Sequence, residues 1–318
     1  MADRNLFGEV VEEKTQLKTE FIINPFSILD SASGDWQKRK YRWKTLGIKS
    51  EVGRGEPDSS GFDYESGGKE TLKRLKKTGV IDWTNRKKQW NIDSYDNKDN
   101  YVSIFDPVLC EVMYHWFVRK GGFILDPFAG GSVRGVVANY LGYHYTGIEL
   151  RDEQVLSNET QGLDIVPNNI PEWIIGDSNK ELDKMDRTFD FIFSCPPYYD
   201  LEVYCDDPND LNNMDYDSFN KVYESIIQKS CTLLKDNRYA CFVVGNCRDK
   251  NGYMMDLVGN TIRAFEKAGL KFYNEMILRN SYASASMRAE GSMRYKKVVK
   301  VHQNVLVFVK GNPKEIVI

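Results

Sequence analysis

The sequence predicts an α/β protein built on a mostly parallel, seven-stranded sheet. From residue 101 onward, short apolar segments alternate with patterns of helical length, an order typical of parallel strands joined by crossover helices. Seven segments have the character of strands. The last two, FYNEMILRN and NVLVFVKG, show no helical pattern between them. We therefore expect this pair to form an antiparallel hairpin at one edge of the sheet.

The elements follow in order from residue 105. FDPVLCEVMYHWFVRKG is a predicted helix with Asp106 as its cap, Pro107 in its first turn, and Gly121 and Gly122 at its end. GFILDPFAGG is a short buried strand that runs into a glycine turn, because adjacent glycines break the apolar run. The predicted segments that follow are helix SVRGVVANYLG, strand YHYTGIEL, helix DEQVLSNETQG, strand EWIIGDS, strand FDFIFSCPPY, helix YDSFNKVYESIIQKSCTLLKDN, strand YACFVVGN and helix DLVGNTIRAFEKAGL.

Composition divides the chain near residue 100. The 318 residues are 41% hydrophobic, enough for one core of about 200 residues with an appendage, or for two small domains. Residues 30–100 are polar and rich in Gly, Ser and Lys. We therefore predict a polar, partly basic N-terminal extension over 1–100 and a main domain over 101–318.

Charge, hydropathy and cysteine content narrow the class of protein. The net charge of −3 and the pI of about 5.8 argue against a uniformly basic nucleic-acid binder, so any such contact is local. No apolar run approaches the roughly 18 residues of a membrane span, and the charged N-terminus lacks the apolar core of a signal peptide. The six cysteines and three histidines show no metal-ligand or CxxC spacing. We expect reduced thiols, no metal, no membrane contact and a cytoplasmic location.

Three strand ends carry residues suited to a nucleotide-containing cofactor, since ligands of open α/β sheets sit beyond the carboxyl ends of the strands. Gly130 and Gly131 can take positive φ and let a ligand approach the backbone. Glu149, 23 residues after Asp126, is placed to accept ribose hydroxyls, and Asp177 to reach an adenine edge. These residues leave open a merely structural turn, a nicotinamide cofactor and S-adenosylmethionine.

The fourth strand ends at SCPPYY, residues 194–199. Two adjacent prolines end a strand abruptly because proline has no N–H for the ladder. DPFAGG followed downstream by a Pro-Pro-Tyr strand tip resembles the amino methyltransferases, which act on exocyclic nitrogens of adenine or cytosine in DNA and use S-adenosylmethionine. This resemblance covers about residues 101–318. More loosely, PFSILDSASGDWQKRKYRWKTLGIKSEVGR and KVHQNVLVFVKG resemble segments of bacteriophage-type DNA methylases.

The resemblance implies a Rossmann-like S-adenosylmethionine-dependent methyltransferase fold, with 101–318 as the catalytic domain. It also implies a double-stranded DNA partner with one base flipped out, and a bacterial or phage-infected host cell. The residues that it assigns to the cofactor are Phe105, Asp106, Pro107, Asp126, Pro127, Phe128, Gly130, Gly131, Ser132, Glu149, Leu150, Asp177 and Ser178. The residues that it assigns to catalysis are Ser194, Cys195, Pro196, Pro197 and Tyr198.

The Pro-Pro-Tyr tip has a chemical rationale. The amine of an aromatic base is a poor nucleophile because its lone pair is delocalised into the ring. The carbonyl of Pro196 can accept a hydrogen bond from that amine, and Tyr198 can stack on a base swung out of the duplex. Alignment of amine and methyl group then supplies most of the acceleration. In the alternative interpretation, the prolines only end the strand and the tyrosines are surface residues.

Cys195 departs from the pattern of the family, which usually places Asp, Asn or Ser before Pro-Pro-Tyr as an acceptor. A thiol is a weak acceptor, and Ser194 points to the other face of a regular strand. Cys195 is either a small residue tolerated at a tight site or a nucleophile toward a pyrimidine ring, which would give C5 methylation. The usual C5 enzymes carry a partner glutamate in a Glu-Asn-Val motif, which this sequence lacks.

Basic patches provide candidate DNA contacts. QKRKYRWK (37–44) interleaves Lys and Arg with aromatic residues, and KRLKK (73–77) and RKK (86–88) follow. Such patches suit phosphate contact and stacking, although a charge run is often only a solvated face. The predicted loop 281–302 is also basic, and the acidic segment 200–217 either covers the site or repels DNA from the wrong face. The predicted DNA-contact residues are Lys38, Arg39, Lys40, Arg42, Lys44, Tyr199, Arg288, Arg294, Lys296 and Lys297.

Two other classes of protein stay compatible with the sequence. A dinucleotide-dependent oxidoreductase explains the glycine turn and Glu149 but leaves Pro-Pro-Tyr without a role. The chain could also be a non-catalytic nucleic-acid-binding protein on a methylase-like fold, in which Cys195 marks the loss of catalytic activity. Within the methyltransferase hypothesis, adenine N6 and cytosine N4 both stay open as the methylated atom. RNA stays open as the polymer, because no residue pattern here reads the 2′-hydroxyl.

Overall fold

The computed structural model of the chain describes residues 16–48, 105–199, 209–249 and 251–316. The strands are β1 (Ile28–Asp30), β2 (Phe123–Asp126), β3 (His144–Glu149), β4 (Glu172–Ile175), β5 (Phe189–Ser194), β6 (Leu234–Val244), β7 (Cys247–Arg248), β8 (Met254–Met255), β9 (Lys271–Arg279) and β10 (His302–Lys310). The α-helices are α1 (Gln16–Phe21), α2 (Gly34–Thr45), α3 (Pro107–Phe117), α4 (Val133–Tyr140), α5 (Asp152–Ile165), α6 (Ser178–Glu181), α7 (Tyr216–Leu233), α8 (Leu257–Lys267) and α9 (Ala283–Arg294).

Eight of the described strands form one sheet in the order β1-β9-β10-β6-β5-β2-β3-β4. β10 runs antiparallel to both of its neighbours, and the other pairings are parallel. The predicted α/β fold with a mostly parallel sheet is therefore confirmed. The predicted number of seven strands and the predicted edge position of the late pair are wrong, because β1 adds an eighth strand outside β9.

The late strands are antiparallel, as predicted, but they are not joined by a simple loop. Helix α9 lies between β9 and β10. Its sequence, ASASMRAEGSMR, has little apolar periodicity, and of its described side chains Ala285 is buried. Ala, Met, Arg and Glu favour helix by intrinsic propensity even without an apolar stripe, so a helix forms where the pattern predicted a loop.

The described part of the N-terminal extension joins the same sheet. β1 pairs with β9 from Ile28 opposite Ile277 to Asp30 opposite Arg279. Helix α2 packs on α3, and both of its tryptophans are buried in the core on that face. The division predicted at residue 100 is thus crossed by the sheet, and the extent of each domain stays a prediction.

Two apolar cores enclose the sheet. The core on one face includes buried residues of α2, α3, α4 and α5, and the core on the other face includes buried residues of α7 and α8. All six residues of β5 are buried, as expected for a strand covered on both faces. Because β2 to β6 are parallel, their carboxyl ends meet at one edge of the sheet. β5 ends at Ser194, two residues before Pro196, in agreement with the prediction that Pro196 and Pro197 end the strand.

Within the described residues, no helix has the length and apolarity that a membrane crossing requires. The five described cysteines are free thiols, and Cys205 lies outside the described residues.

Candidate functional site

One cavity of about 530 Å³ lies at the carboxyl edge of the parallel strands. Its wall combines the segments that follow β1, β2, β3, β4, β5 and β9 with the starts of α3 and β10. The predicted site residues that line it are Phe105, Asp106, Phe128, Gly130, Gly131, Glu149, Leu150, Asp177, Ser178, Cys195, Pro196, Pro197 and Tyr198. The structure thus brings the glycine turn and the Pro-Pro-Tyr tip into one cavity.

The glycine turn is tied to the end of β3. Gly130 has a φ of 53°, a conformation that a glycine adopts without steric cost. Its backbone N–H donates to Glu149 Oε2 at 2.9 Å, and its carbonyl accepts from Asn158 Nδ2 at 2.7 Å. Oε1 of Glu149 accepts from the backbone N–H of Arg151 at 3.2 Å and from its Nε at 3.1 Å. The Glu149 carboxylate therefore fixes the turn while facing the cavity.

Asp177 begins the short helix after β4. Its Oδ1 accepts from the backbone N–H of Asn179 at 2.9 Å, and Lys180 Nζ lies 3.1 Å from its Oδ2. Next to it, Ser178 Oγ donates to the carbonyl of Pro127 at 2.5 Å. The end of β4 is thereby linked to the segment after β2.

Several predicted site residues lie behind the cavity wall rather than in it: Pro107, Asp126, Pro127, Ser132 and Ser194. Asp126 is fully buried and accepts from Arg134 Nε at 2.5 Å, from the Tyr145 hydroxyl at 2.8 Å and from the Ser194 hydroxyl at 2.5 Å. Ser132 Oγ donates to Gln161 Oε1 at 3.1 Å. In the structure these groups support the site and are not at its surface.

Arg134 connects that buried support to the cavity. Burial alone would lower the pKa of its guanidinium, but the charge of Asp126 raises the pKa above its ordinary value. Arg134 Nη2 donates to the carbonyls of Phe128 and Ala129, and the guanidinium lies 4.6 Å from the centre of the Phe105 ring. A permanently charged side chain thus holds the turn after β2 and supports Phe105.

The start of α3 carries the predicted cap. Asp106 Oδ1 accepts from the backbone N–H of Val108 at 2.9 Å, which confirms the predicted helix start. Its Oδ2 accepts from Trp36 Nε1 at 3.2 Å and from Lys40 Nζ at 2.8 Å. Both partners come from α2, so the N-terminal extension supplies part of the cavity wall.

The Pro-Pro-Tyr tip forms another part of the wall. Gln303 Nε2, at the start of β10, donates to the Tyr198 hydroxyl at 3.0 Å. Burial raises the pKa of the Tyr198 phenol well above its ordinary value, and the hydroxyl is also within hydrogen-bonding contact of Cys195. Tyr198 is therefore a neutral, positioned ring at neutral pH. Tyr199 turns away and packs edge-on against Tyr216 and Phe219, with ring centres 5.1 and 5.4 Å apart.

The predicted DNA-contact residues separate into two groups. Arg39 and Lys40 form ion pairs with Glu111 and Asp106 of the α3 region, at 2.6 and 2.8 Å, and Tyr199 is half-buried in an aromatic cluster. The second group is at the surface. Lys297 is half-buried, and the exposed members are Lys38, Arg42, Lys44, Arg288, Arg294 and Lys296. The patches 73–77 and 86–88 and residues 200–208 of the acidic segment lie outside the described residues.

Sequence reasoning missed several residues that line the cavity: Ser31, Gln37, Arg134, Asn280, Ser281 and Gln303. Arg134 stands within DPFAGGSVRG, so the motif itself carried a signal for it. Gln303 belongs to the segment KVHQNVLVFVKG that resembles phage-type methylases, but nothing local places it beside Tyr198. No group of three or more potential metal ligands occurs among the residues that the structure describes.

Comparison with known proteins gives partial matches. No protein-family model matches the chain. Type II methyltransferase M.SmaI from Serratia marcescens is 31% identical over 92 residues, which are 29% of this chain and 30% of that protein. Type II methyltransferase M.XycI from Xanthomonas campestris pv. cyanopsidis is 32% identical over 71 residues, 22% of this chain and 24% of that protein. The chain thus spans less than a third of the length of the curated relatives it matches.

Solved structures with related architecture include TrmN from Thermus thermophilus, with a TM-score of 0.44, 14% identity and coverage of 65% of this chain and 49% of that one. Magnesium protoporphyrin IX methyltransferase (ChlM) from Synechocystis PCC 6803 with bound SAM has a TM-score of 0.43 and 9% identity, covering 78% of this chain and 93% of that one. Because these scores are below 0.5, the fold assignment rests on the strand order itself. The predicted similarity to methyltransferases is confirmed: the chain resembles Type II methyltransferases over parts of its length, on the Rossmann-like, mostly parallel sheet predicted for S-adenosylmethionine-dependent methyltransferases.

Proposed function

We propose that the chain is an S-adenosylmethionine-dependent methyltransferase that modifies an exocyclic amine of a base in DNA, adenine N6 or cytosine N4. The observation that carries this proposal is the single cavity shared by the glycine turn, Glu149, Asp177 and the Pro-Pro-Tyr tip. The partial identity with Type II methyltransferases supports the same reaction. An oxidoreductase would leave the tip, which forms one wall of the cavity, without a role.

The cavity fits an adenosyl cofactor in size and in chemistry. Its volume of about 530 Å³ lies in the range of ligand pockets. Glu149 and Asp177 provide carboxylates at the ends of β3 and β4 for ribose hydroxyls and an adenine edge. Gly130 permits close approach to the backbone, and Phe105 and Asp106 line the cavity on the side of α3. Bound S-adenosylmethionine supplies an electrophilic methyl group on a sulfonium.

The residues of the tip receive the target base. Tyr198 lines the cavity with its hydroxyl held by Gln303, so the ring is positioned before a base arrives. Stacking on such a ring is tolerant of sequence and contributes about 1–3 kcal/mol per base. A base inside a duplex cannot reach this cavity, so the base must leave the stack. Pro196 supplies a carbonyl acceptor for the amine, as its place in the motif indicates.

We assign the contacts with the DNA backbone to exposed basic side chains. Lys38, Arg42 and Lys44 lie on exposed positions of α2, and Arg288 and Arg294 on exposed positions of α9. Lys and Arg side chains contact phosphates without reading sequence, which makes the affinity strongly dependent on salt. Arg39, Lys40 and Tyr199 leave this set because their contacts in the structure are internal.

The test is transfer of tritium from methyl-labelled S-adenosylmethionine to purified polymers. Double-stranded DNA should be labelled, duplex RNA should not, and Glu149→Ala should abolish labelling through loss of cofactor binding. Labelling of RNA alone would reassign the substrate. If neither polymer is labelled and a reduced nicotinamide cofactor quenches the fluorescence of the protein, the chain would be reassigned to an oxidoreductase.

A further inference from the structure

Two opposite charges stand side by side in the cavity wall. Lys40 Nζ lies 2.8 Å from Asp106 Oδ2, and both residues line the cavity. Their side chains are 26% and 11% exposed, so both remain accessible from the cavity although neither projects freely into solvent. An ion pair at a cavity surface presents a donor and an acceptor together, a short distance apart.

The ion pair is held in place by rigid elements. Asp106 caps α3 through Val108 and also accepts from the buried Trp36. Next to Lys40, Arg39 Nη1 donates to Glu111 Oε1 at 2.6 Å, and on the following turn of α2 Trp43 Nε1 donates to Glu111 Oε2 at 2.9 Å. Helix α2 is thus anchored to the first two turns of α3 through two acidic residues, Asp106 and Glu111. The position of the Lys40 ammonium follows from this anchoring, which limits the ordering cost of binding a ligand.

The ion pair lies away from the adenosine end of the cavity. Asp177 follows β4 and Glu149 ends β3, while the glycine turn follows β2. Phe105, next to Asp106, packs edge-on against Phe193 of β5 with ring centres 5.7 Å apart. Adjacent strands are about 4.8 Å apart, so a ligand with its adenosine at β3 and β4 extends past β2 toward the pair.

We propose that Lys40, from the N-terminal extension, binds the carboxylate of the α-amino-acid group of the cofactor, beside Asp106, which the family resemblance already assigns to the cofactor. The inference rests on the proposed function and names the residues that hold this end of the cofactor. An ammonium has three donors, and the contact with Asp106 uses one; a carboxylate has about four acceptor positions, and Val108, Trp36 and Lys40 use three. Lys40 donates to the ligand carboxylate, and Asp106 accepts from the ligand ammonium.

This assignment changes the role of α2. Its sequence, rich in Lys and Arg, suggests a DNA-binding helix, whereas Lys40 faces the cofactor cavity. The N-terminal extension is then required for cofactor affinity, and DNA contact is left to the exposed cations of the same helix. Cofactor binding and helix docking are consequently coupled through one ion pair.

The experiment is calorimetric titration with two ligands that differ in the amino-acid group. S-adenosylhomocysteine carries the zwitterion, and 5′-methylthioadenosine lacks it. Lys40→Met should weaken S-adenosylhomocysteine about 10- to 100-fold, the effect of losing a charged hydrogen bond, and leave 5′-methylthioadenosine unchanged. Lys40→Arg, which keeps the charge, should restore most of the lost affinity.

Lys18→Met is the matched control. Lys18 Nζ also lies 2.8 Å from an aspartate of α2, Asp35, but neither residue is among those lining the cavity. This control should bind both ligands like the unmodified chain. Equal weakening of both ligands by Lys40→Met, or no weakening of either, overturns the assignment while leaving the cofactor site intact. Failure of the unmodified chain to bind either ligand overturns the proposed function itself.

Discussion

Ser194 Oγ donates a hydrogen bond of 2.5 Å to Oδ1 of Asp126, and both residues are fully buried. Ser194 is the last residue of β5, directly before Cys195, and Asp126 is the last residue of β2, four residues before Gly130. The contact fixes the Pro-Pro-Tyr tip relative to the glycine turn. The distance between the two parts of the cavity is therefore set by buried groups that do not line it.

Asp126→Ala should destabilise the fold strongly. The substitution leaves the buried Arg134 charged and without its partner, a change that typically costs about 3–5 kcal/mol. Urea denaturation of the variant measures this loss. The control is Asp183→Ala, which removes an exposed ion pair with Lys229 and should cost less than about 1 kcal/mol. Equal losses in the two variants would contradict the structural role of Asp126.

Ser194→Ala should reduce stability more than activity. The hydroxyl does not line the cavity, and the variant loses one buried hydrogen bond to a charged acceptor, worth about 1.5–3 kcal/mol. Cofactor affinity should stay close to that of the unmodified chain. A large fall in kcat without loss of stability would instead place Ser194 at the reacting atoms, as the motif alone suggested.

Tyr198→Ala should remove most methyl transfer while leaving S-adenosylhomocysteine affinity nearly intact. Loss of about 1–3 kcal/mol of stacking corresponds to roughly a 5- to 150-fold loss of activity. Tyr198→Phe is the matched variant: it keeps the ring, loses the hydroxyl contacts with Gln303 and Cys195, and should keep most activity. Weakened cofactor binding with normal methyl transfer would contradict the base-stacking role.

Cys195→Ser should retain or raise activity if the target is an exocyclic amine, because a hydroxyl is a better acceptor than a thiol. The thiol lines the cavity beside the Tyr198 hydroxyl, so the substitution changes a group at the site without changing its size greatly. Steady-state methylation rates measure the effect. Complete loss of activity, with a covalent DNA adduct in the unmodified chain, would support C5 methylation instead.

Protonation of Asp190 should lower the free energy of unfolding at acidic pH. Its carboxylate is fully buried at the opposite edge of the sheet and contacts Arg119, Lys235, Arg238 and the backbone N–H of Phe123. Burial alone would raise the pKa of this carboxyl, but the bonds from Phe123 and the three cations lower it to about 2. A folded-state pKa below the unfolded value gives stability that is present above about pH 4 and lost as the pH falls toward 2.

The full loss is about 2 kcal/mol, of which about 1 kcal/mol has occurred by pH 3, because the folded-state pKa lies below that pH. Urea denaturation of the unmodified chain and of Asp190→Asn at pH 6 and pH 3 measures it. The variant should be less stable at pH 6 and should lose less stability on acidification. Identical pH dependence in the two proteins would show that Asp190 is not the titrating group.

The site residues that could be predicted from sequence lie next to local signals. Glycines and prolines mark where β2 and β5 end, and parallel strands then bring Gly130, Glu149, Asp177 and Cys195 to one edge. The motif also marked Asp126 and Ser194, but it gave no indication that they lie beneath the site. Tyr145, which donates to Asp126, is 19 residues away along the chain, and such contacts depend on how the elements pack.

The contribution of residues 16–48 could not be predicted for the same reason. β1 has three residues, too few for a periodic pattern, and pairs with β9 from the far end of the chain. In α2 the charges of Arg39 and Lys40 look like a solvated patch until Glu111 and Asp106, 72 and 66 residues away, neutralise them. The run QKRKYRWK therefore predicted a DNA surface where part of the helix forms an internal wall.

The most direct test of the proposed reaction is mass spectrometry of nucleosides from double-stranded DNA incubated with the protein and trideuteromethyl-labelled S-adenosylmethionine. We expect a mass increase in N6-methyladenine or N4-methylcytosine, which would establish the reaction and name the base. Label in 5-methylcytosine would contradict the amine as target and make Cys195 the nucleophile. Unlabelled DNA, with cofactor binding established by calorimetry, would contradict DNA methylation altogether.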